Sequence, residues 1–272
     1  MNSASQIQPG AADAGLERVA SISVIFPALN EEGNIRRTVE QACGTLSTLA
    51  EKWEIIIVND GSRDATQRIC DELAEANPGV TRIHHPNNRG YGAALKSGIA
   101  AAQHGLIFFS DSDGQFDIAE LRSLVIWSKN FEIVAGYRAR RNDPPHRLFN
   151  AWGWRLLVRL ALGIKVRDID CSFKLFRREV FNHVQISSVG SMVNTQILAQ
   201  AMRLGMRIHE VPVTHFPRRY GKPTGAELGV IVKALSELVR MWWKLRNISP
   251  DQTGLYSDKT GEDKAGVDAS VR

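Results

Sequence analysis

Residues 110–117 read SDSDGQFD and directly follow the apolar run GLIFF. Asp111 and Asp113 are separated by one residue, and in an extended strand such a pair points to the same side. Two like charges on one side repel unless a cation lies between them. Oxygen donors select a hard ion, Mg²⁺ or Mn²⁺, and a magnesium ion held by few carboxylates also takes substrate phosphates. Gln115 adds a neutral oxygen at the next position on that side. Asp111, Asp113 and Gln115 are therefore the candidate metal ligands. Asp64 and Asp117 each precede a helical stretch and read as helix N-caps.

Three other polar segments follow apolar runs: PALNEE (27–32), VNDGSRDAT (58–66) and NNRGYGAALKSG (87–98). Asp60 ends a buried strand and is followed by Gly61. A carboxylate there can accept a hydrogen bond from the N–H of a base, or close an Asx-turn. The third segment is rich in glycine but matches neither the P-loop nor the dinucleotide fingerprint. Gly90 and Gly92 would let backbone approach a ligand. Lys96 either reaches that ligand or lies on a solvated helix face.

Something must bring these segments together. The pattern predicts strands at SISVIFPAL, WEIIIVND, VTRIHH, GLIFFSD and FEIVAGYR. It predicts helices over 31–49, 64–76, 92–103 and 118–128 between them. Continuous apolar strands alternating with amphipathic helices mean an α/β fold with a mostly parallel sheet covered on both faces. In such sheets ligands bind beyond the carboxyl ends of the strands, where all four polar segments fall. The second half predicts helices over 148–162, 194–204 and 226–246, and strands at CSFKLF and MRIHEVPV. Residues 1–20 and 247–272 have the composition of disordered tails.

The chain has 272 residues, 43% hydrophobic and 23% charged, an ordinary globular balance. No apolar run approaches the roughly 18–20 residues of a membrane span, and the first twenty residues lack the pattern of a secretory leader. Cys43, Cys70 and Cys171 are odd in number and widely spaced, which fits a reducing cytoplasm and neither a disulfide framework nor a cysteine metal site. Between Arg138 and Arg178 there are eleven Lys/Arg against three Asp. That basic surface calls for an anionic partner, whether a phosphorylated substrate, an anionic lipid or nucleic acid. No nucleic-acid-binding motif accompanies the charge, so no nucleic-acid partner is expected.

The succession PALNEE, VNDGSRDAT, NRGYGAAL, SDSDGQ resembles the inverting family 2 glycosyltransferases of GT-A fold. VAGYRARR, DIDCSFKLFRREV and EVPVTHFPRRYGKPTG are similar to the dolichyl- or polyprenyl-phosphate sugar synthases within it. The resemblance covers about residues 21–245 and implies one GT-A domain over 21–246. It implies transfer from a nucleotide sugar, GDP-mannose ahead of UDP-glucose, to a polyprenyl or dolichyl phosphate. Pro27, Glu31, Asp60, Lys96 and Asp111 would bind the donor. Asp111, Asp113 and Gln115 would hold Mg²⁺ or Mn²⁺ on the diphosphate. Arg138, Arg147, Lys174, Arg218 and Lys222 would surround the acceptor phosphate, with Asp113, Arg138 and Arg147 central to the chemistry. Asp168 opens a segment that in this family ends Ser-Gly-Phe-Arg and here ends Cys-Ser-Phe-Lys. Lys174 keeps the charge and loses bidentate phosphate binding.

A lipid acceptor requires approach to a bilayer. The helices over 152–162 and 226–246, with Trp242 and Trp243 beside Lys244 and Arg246, suit an interfacial position, as well as a helix covering a core. Peripheral attachment at the cytoplasmic face of a membrane, with a membrane-protein partner as an option, is the resulting expectation. Two other readings stand beside it: a glycan or glycolipid hydroxyl acceptor, which would need a base such as Asp168 or Asp170, and a non-catalytic nucleotide-sugar binder.

Overall fold

The computed structural model describes residues 17–139, 153, 157–218, 220, 237–243 and 245–246. Expectations for residues 1–16 and 247–272, for Arg147, Trp152, Lys222 and Lys244, and for most of the helices over 148–162 and 226–246 therefore lie outside the described residues. The expected N-terminal tail ends earlier than residue 20, since Val19 and Ala20 already belong to the first strand.

The first half alternates as its apolar pattern predicts. Its elements are β1 (Val19–Ala28), α1 (Ile35–Leu49), β2 (Ala50–Asn59), α2 (Thr66–Ala76), β3 (Val80–His84), α3 (Tyr91–Ala101) and β4 (Leu106–Phe109). A 3₁₀ turn (Ile118–Glu120), α4 (Leu121–Val125) and β5 (Ile133–Arg138) follow. The second half supplies β6 (Lys174–Arg177), α5 (Val180–His183), α6 (Val193–Arg203) and β7 (Ile208–Val213). Residues 157–162, 237–243 and 245 are also helical.

The seven strands form one sheet in the order β3-β2-β1-β4-β6-β5-β7. β6 alone runs against its neighbours, pairing antiparallel with both β4 and β5. Side chains alternate across the strands with period two. Val24, Phe26, Ile55, Ile57 and Phe108 pack on one face with the apolar stripes of α1 and α2. Ile25, Ile56, Val58, Ile107 and Phe109 pack on the other with Ala94 and Leu95 of α3 and Ile197 and Leu198 of α6. The core is thus two layers separated by the sheet.

Chain direction fixes where a ligand can sit. From β1 the chain steps outward through β2 and β3, then crosses back to place β4 on the other side of β1. That reversal is the topological switch point of an open α/β sheet, where the segments leaving adjacent strands diverge and a crevice opens. β1 pairs with β4 only as far as Ile25↔Phe109, while its pairing with β2 continues to Ala28↔Asn59.

Three boundaries differ from expectation for local reasons. α1 begins four residues late because Glu31–Asn34 form a turn in which Glu31 O accepts from Asn34 N and Ile35 N. The helix expected over 118–128 is a 3₁₀ turn and a short α4 that gives way to turns. β4 ends at Phe109, and residues 112–114 bend around Gly114 at φ +72°. Asp111 and Asp113 are therefore not on an extended strand, and the same-side argument from strand geometry does not apply to them.

Candidate active site

A bend nevertheless brings the acids together. Ser112 Oγ donates to Pro27 O at 2.7 Å and tethers the β4 exit to the β1 exit. Thr38 of α1 donates to Ser112 O on the same stretch. Asp113, 5% exposed, accepts from Gln115 N through Oδ1 at 3.0 Å. Its Oδ2 accepts from Arg218 Nη2 at 2.8 Å, and Arg218 Nη1 lies 3.4 Å from Glu31 Oε1. Glu31 also accepts from Asn34 Nδ2 at 2.7 Å. One guanidinium thus bridges the acids of the β1 and β4 exits.

The local fields are strong. Burial pushes Asp111 above its ordinary range, and the Asp113 charge adds to that. Hydrogen bonding to Ser172 and Tyr91 and the charge of Lys174 act the other way. Burial likewise raises Glu31, against the Asn34 hydrogen bond and the Arg218 charge; Asp113 and Asp111 raise it further. Neighbouring carboxylates that raise Asp111 and Glu31, gathered around one guanidinium, make a site suited to positive charge. Among the described residues no three His, Cys, Asp or Glu side chains close into a metal cage. Two carboxylates and an amide are the partial set that suits magnesium or manganese when diphosphate oxygens complete the shell. Gln115 Nε2 donates to Phe216 O at 2.9 Å, which leaves Oε1, the atom a metal would take.

Arg218 reaches this place because residues 215–216 pair back on the β4 exit. Phe116 and His215 form an antiparallel bridge, and Phe216 N donates to Gln115 O. No sequence period announces so short a pairing.

The β2 exit is organised differently. Asp60, 3% exposed, accepts from Arg89 N through Oδ1 and from Gly90 N through Oδ2. Its carboxylate therefore shapes the loop between β3 and α3. His85 Nδ1 lies 2.6 Å from Asp60 Oδ1, a contact missed in reading the sequence although the pair His84–His85 was its signal. Gly90 at the end of that loop and Gly92 in the first turn of α3 admit this chain's own backbone. A Cβ on Gly90 would meet Val189 O at 2.3 Å, and one on Gly92 would meet Ser188 O at 2.2 Å. Gly92 N donates to Val189 O. Lys96 is exposed on α3.

The expected basic cluster divides. Arg138 makes a fork on Asp168, with Nε to Oδ2 at 2.7 Å and Nη2 to Oδ1 at 2.8 Å. Burial disfavours its charge, but hydrogen bonding and attraction to Asp168 outweigh that and hold its proton more tightly than usual. Lys174 is fully buried, donates to Ile169 O at 3.1 Å, and has its pKa lowered by desolvation. It serves as an internal counter-charge near Asp111 rather than as a surface cation. Asp117 caps the 3₁₀ turn by accepting from Ala119 N, and Asp64 accepts from Thr66 N at the start of α2.

The profile of glycosyl transferase family 2 matches residues 23–185, more than half the chain. The chain belongs to glycosyl transferase family 2. Dolichyl-phosphate beta-glucosyltransferase ALG5A of Trichomonas vaginalis is 31% identical over 256 residues, covering 83% of this chain and 76% of that protein. Glycosyltransferase AglD of Haloferax volcanii is 31% identical over 88% of this chain, which spans only 39% of AglD. Dodecaprenyl-phosphate galacturonate synthase of Rhizobium johnstonii is 28% identical over 83% of this chain and 68% of that protein. Among solved structures, glucosyl-3-phosphoglycerate synthase from Mycobacterium tuberculosis in complex with UDP superposes with a TM-score of 0.66. It is 22% identical, over 86% of this chain and 82% of that one. The same enzyme in complex with Mn²⁺, UDP and glucosyl-3-phosphoglycerate gives 0.60 at 22% identity, over 89% and 84% of the two chains. The fold is thus GT-A, a mostly parallel sheet covered by helices on both faces, as the motif resemblance implies.

Proposed function

We propose that this family 2 glycosyltransferase moves a hexose from a nucleoside diphosphate sugar to a polyprenyl phosphate, with inversion at the anomeric carbon. The observation that carries the reading is the meeting of Asp113, Glu31 and Arg218 at the β1/β4 switch point. Carboxylates for a cation and an arginine for a phosphate share one crevice there. The names of relatives support a lipid-phosphate acceptor, since two of them are a dolichyl-phosphate glucosyltransferase and a dodecaprenyl-phosphate galacturonate synthase.

A phosphate oxygen of the acceptor attacks the anomeric carbon, the glycosidic bond to the diphosphate breaks, and the nucleoside diphosphate leaves. A monoester phosphate, with its second pKa of about 6, is substantially ionised near neutral pH. It needs no protein base, whereas a hydroxyl acceptor would. Asp168 is held by Arg138 and stands 8% exposed, a poor position for such a base. Asp111, Asp113 and Gln115 would hold Mg²⁺ or Mn²⁺, which supplies Lewis-acid relief of charge on the leaving diphosphate. Arg218 orients the acceptor phosphate; Arg147 and Lys222 join it in this reading. Pro27, Glu31 and Asp60 line the nucleoside side.

The motif resemblance favours GDP-mannose. The relative named as a glucosyltransferase and the neighbours in complex with UDP favour a uridine donor, and UDP-glucose becomes the first choice. No helix among the described residues is long and apolar enough to cross a membrane. In the helix at 237–245, Leu238, Met241 and Leu245 are buried while Val239, Trp242 and Trp243 are exposed. That division supports peripheral attachment, at the cytoplasmic leaflet in our reading, by a helix that also covers the core. Incubation with Mn²⁺, polyprenyl phosphate and radiolabelled UDP-glucose, UDP-galactose or GDP-mannose tests the reading. Label should pass to the organic phase from UDP-glucose. Passage from GDP-mannose alone would refute the donor, and passage from none would refute the activity.

A further inference from the structure

His85 is a buried ionisable residue that the chemistry above does not use. It follows β3, is 6% exposed, and spans two elements. Nδ1 lies 2.6 Å from Asp60 Oδ1 at the end of β2, and Nε2 lies 2.9 Å from Ser97 Oγ on α3. A carboxylate only accepts, so Nδ1 carries the proton toward Asp60. Oδ1 also accepts from Arg89 N at 2.9 Å, and Oδ2 accepts from Gly90 N at 2.8 Å. An ionised carboxylate offers about four lone-pair positions. Three are engaged, two of them on Oδ1, so one remains, on Oδ2.

We infer that His85 is a positioning residue that sets base choice at the donor pocket. By saturating Oδ1, it leaves Asp60 able to accept one further N–H and no second. Uracil presents a single ring N–H between two carbonyl groups. Guanine presents a ring N–H beside an amino group, a pair that a carboxylate satisfies only with two acceptor positions. The fixed carboxylate therefore matches uridine diphosphate and leaves one guanine donor without a partner. A buried donor without a partner is disfavoured strongly enough to discriminate about tenfold or more. Ser97 holds the far ring nitrogen and so keeps the imidazole from turning away from Asp60. The inference rests on the proposal that Asp60 lines the nucleoside pocket, and it names the base that pocket takes.

Titration calorimetry of the full chain with UDP and GDP in the presence of Mn²⁺ tests it. Wild type should bind UDP at least about tenfold tighter than GDP. His85→Ala should lose most of that ratio, because Oδ1 regains a position for the second guanine donor. His85→Asn, whose Nδ2–H replaces Nδ1–H, should restore it. If His85→Ala does not fold, His85→Gln reads the same ratio, since it keeps the bulk and places its donor on the Ser97 side. A merely structural His85 would lower the melting temperature of these variants and leave the ratio unchanged, and that result would overturn the inference. Tighter binding of GDP than UDP by wild type would also overturn it. If Asp60→Asn lost UDP while His85→Ala kept the ratio, the inference would fail and the pocket would stand. Wild type binding neither nucleotide would remove both.

Discussion

Asp111 is pulled in two directions, and the balance has a sign. Burial and the neighbouring Asp113 raise its folded pKa above the unfolded value of 3.8. The folded state then holds this proton more tightly than the unfolded chain does. The stability contributed by the group is present at low pH and falls as pH rises from the unfolded value through the folded one. At neutral pH an ionised Asp111 works against the fold. Asp111→Asn should therefore raise the melting temperature at pH 7 by a few degrees, about 2–4 °C for each kcal/mol relieved, while abolishing transfer. A fall in melting temperature would contradict this account. The arginines separate along the same line. Arg138 and Asp168 are a nearly buried pair, their side chains 15% and 8% exposed, and breaking such a pair costs about 3–5 kcal/mol. Arg138→Ala should thus unfold early in a denaturant titration. Arg218→Ala, with a more exposed side chain at 28%, should lower its denaturation midpoint less than Arg138→Ala does and lose roughly 10²-fold in kcat/KM for the lipid phosphate. Equal losses of stability in both variants would remove the distinction.

At the scale of elements, the apolar strands and amphipathic helices of the first half were legible, because burial on both sheet faces leaves a continuous pattern. What escaped was pairing over distance. β6 running antiparallel between β4 and β5 has no period of its own to announce it. Residues 215–216 reach the β4 exit through one bridge and main-chain bonds that carry no side-chain signature. Gly90 and Gly92, at the start of α3, were readable as places of close approach, and their true neighbour, residues 188–189, lies about a hundred positions further on. Gly92→Ala tests that packing. Its Cβ would meet the Ser188 carbonyl at 2.2 Å, backbone rather than a yielding side chain. A loss of about 1–3 kcal/mol is expected, read from chemical denaturation, and an unchanged midpoint would show that 188–189 yields freely.

Across the whole molecule, the switch point of the sheet explains why residues from 27 to 218 meet in one place. β1 and β4 are adjacent yet reached by crossovers on opposite sides, so their exits part and carry Glu31 and Asp113 to a common crevice. The acidic half of the site was readable at this scale because it lies at strand ends, where the fold rule puts ligands. The basic half was not, since a run of arginines states charge and not partners; Arg138 turned to Asp168, and Lys174 turned inward. The central claim is that a phosphate, already ionised, is the acceptor. The direct measurement is transfer from radiolabelled UDP-glucose, with Mn²⁺, to polyprenyl phosphate and to the corresponding polyprenol side by side. The account predicts labelled lipid from the phosphate and none from the alcohol. Comparable labelling of the alcohol would contradict it.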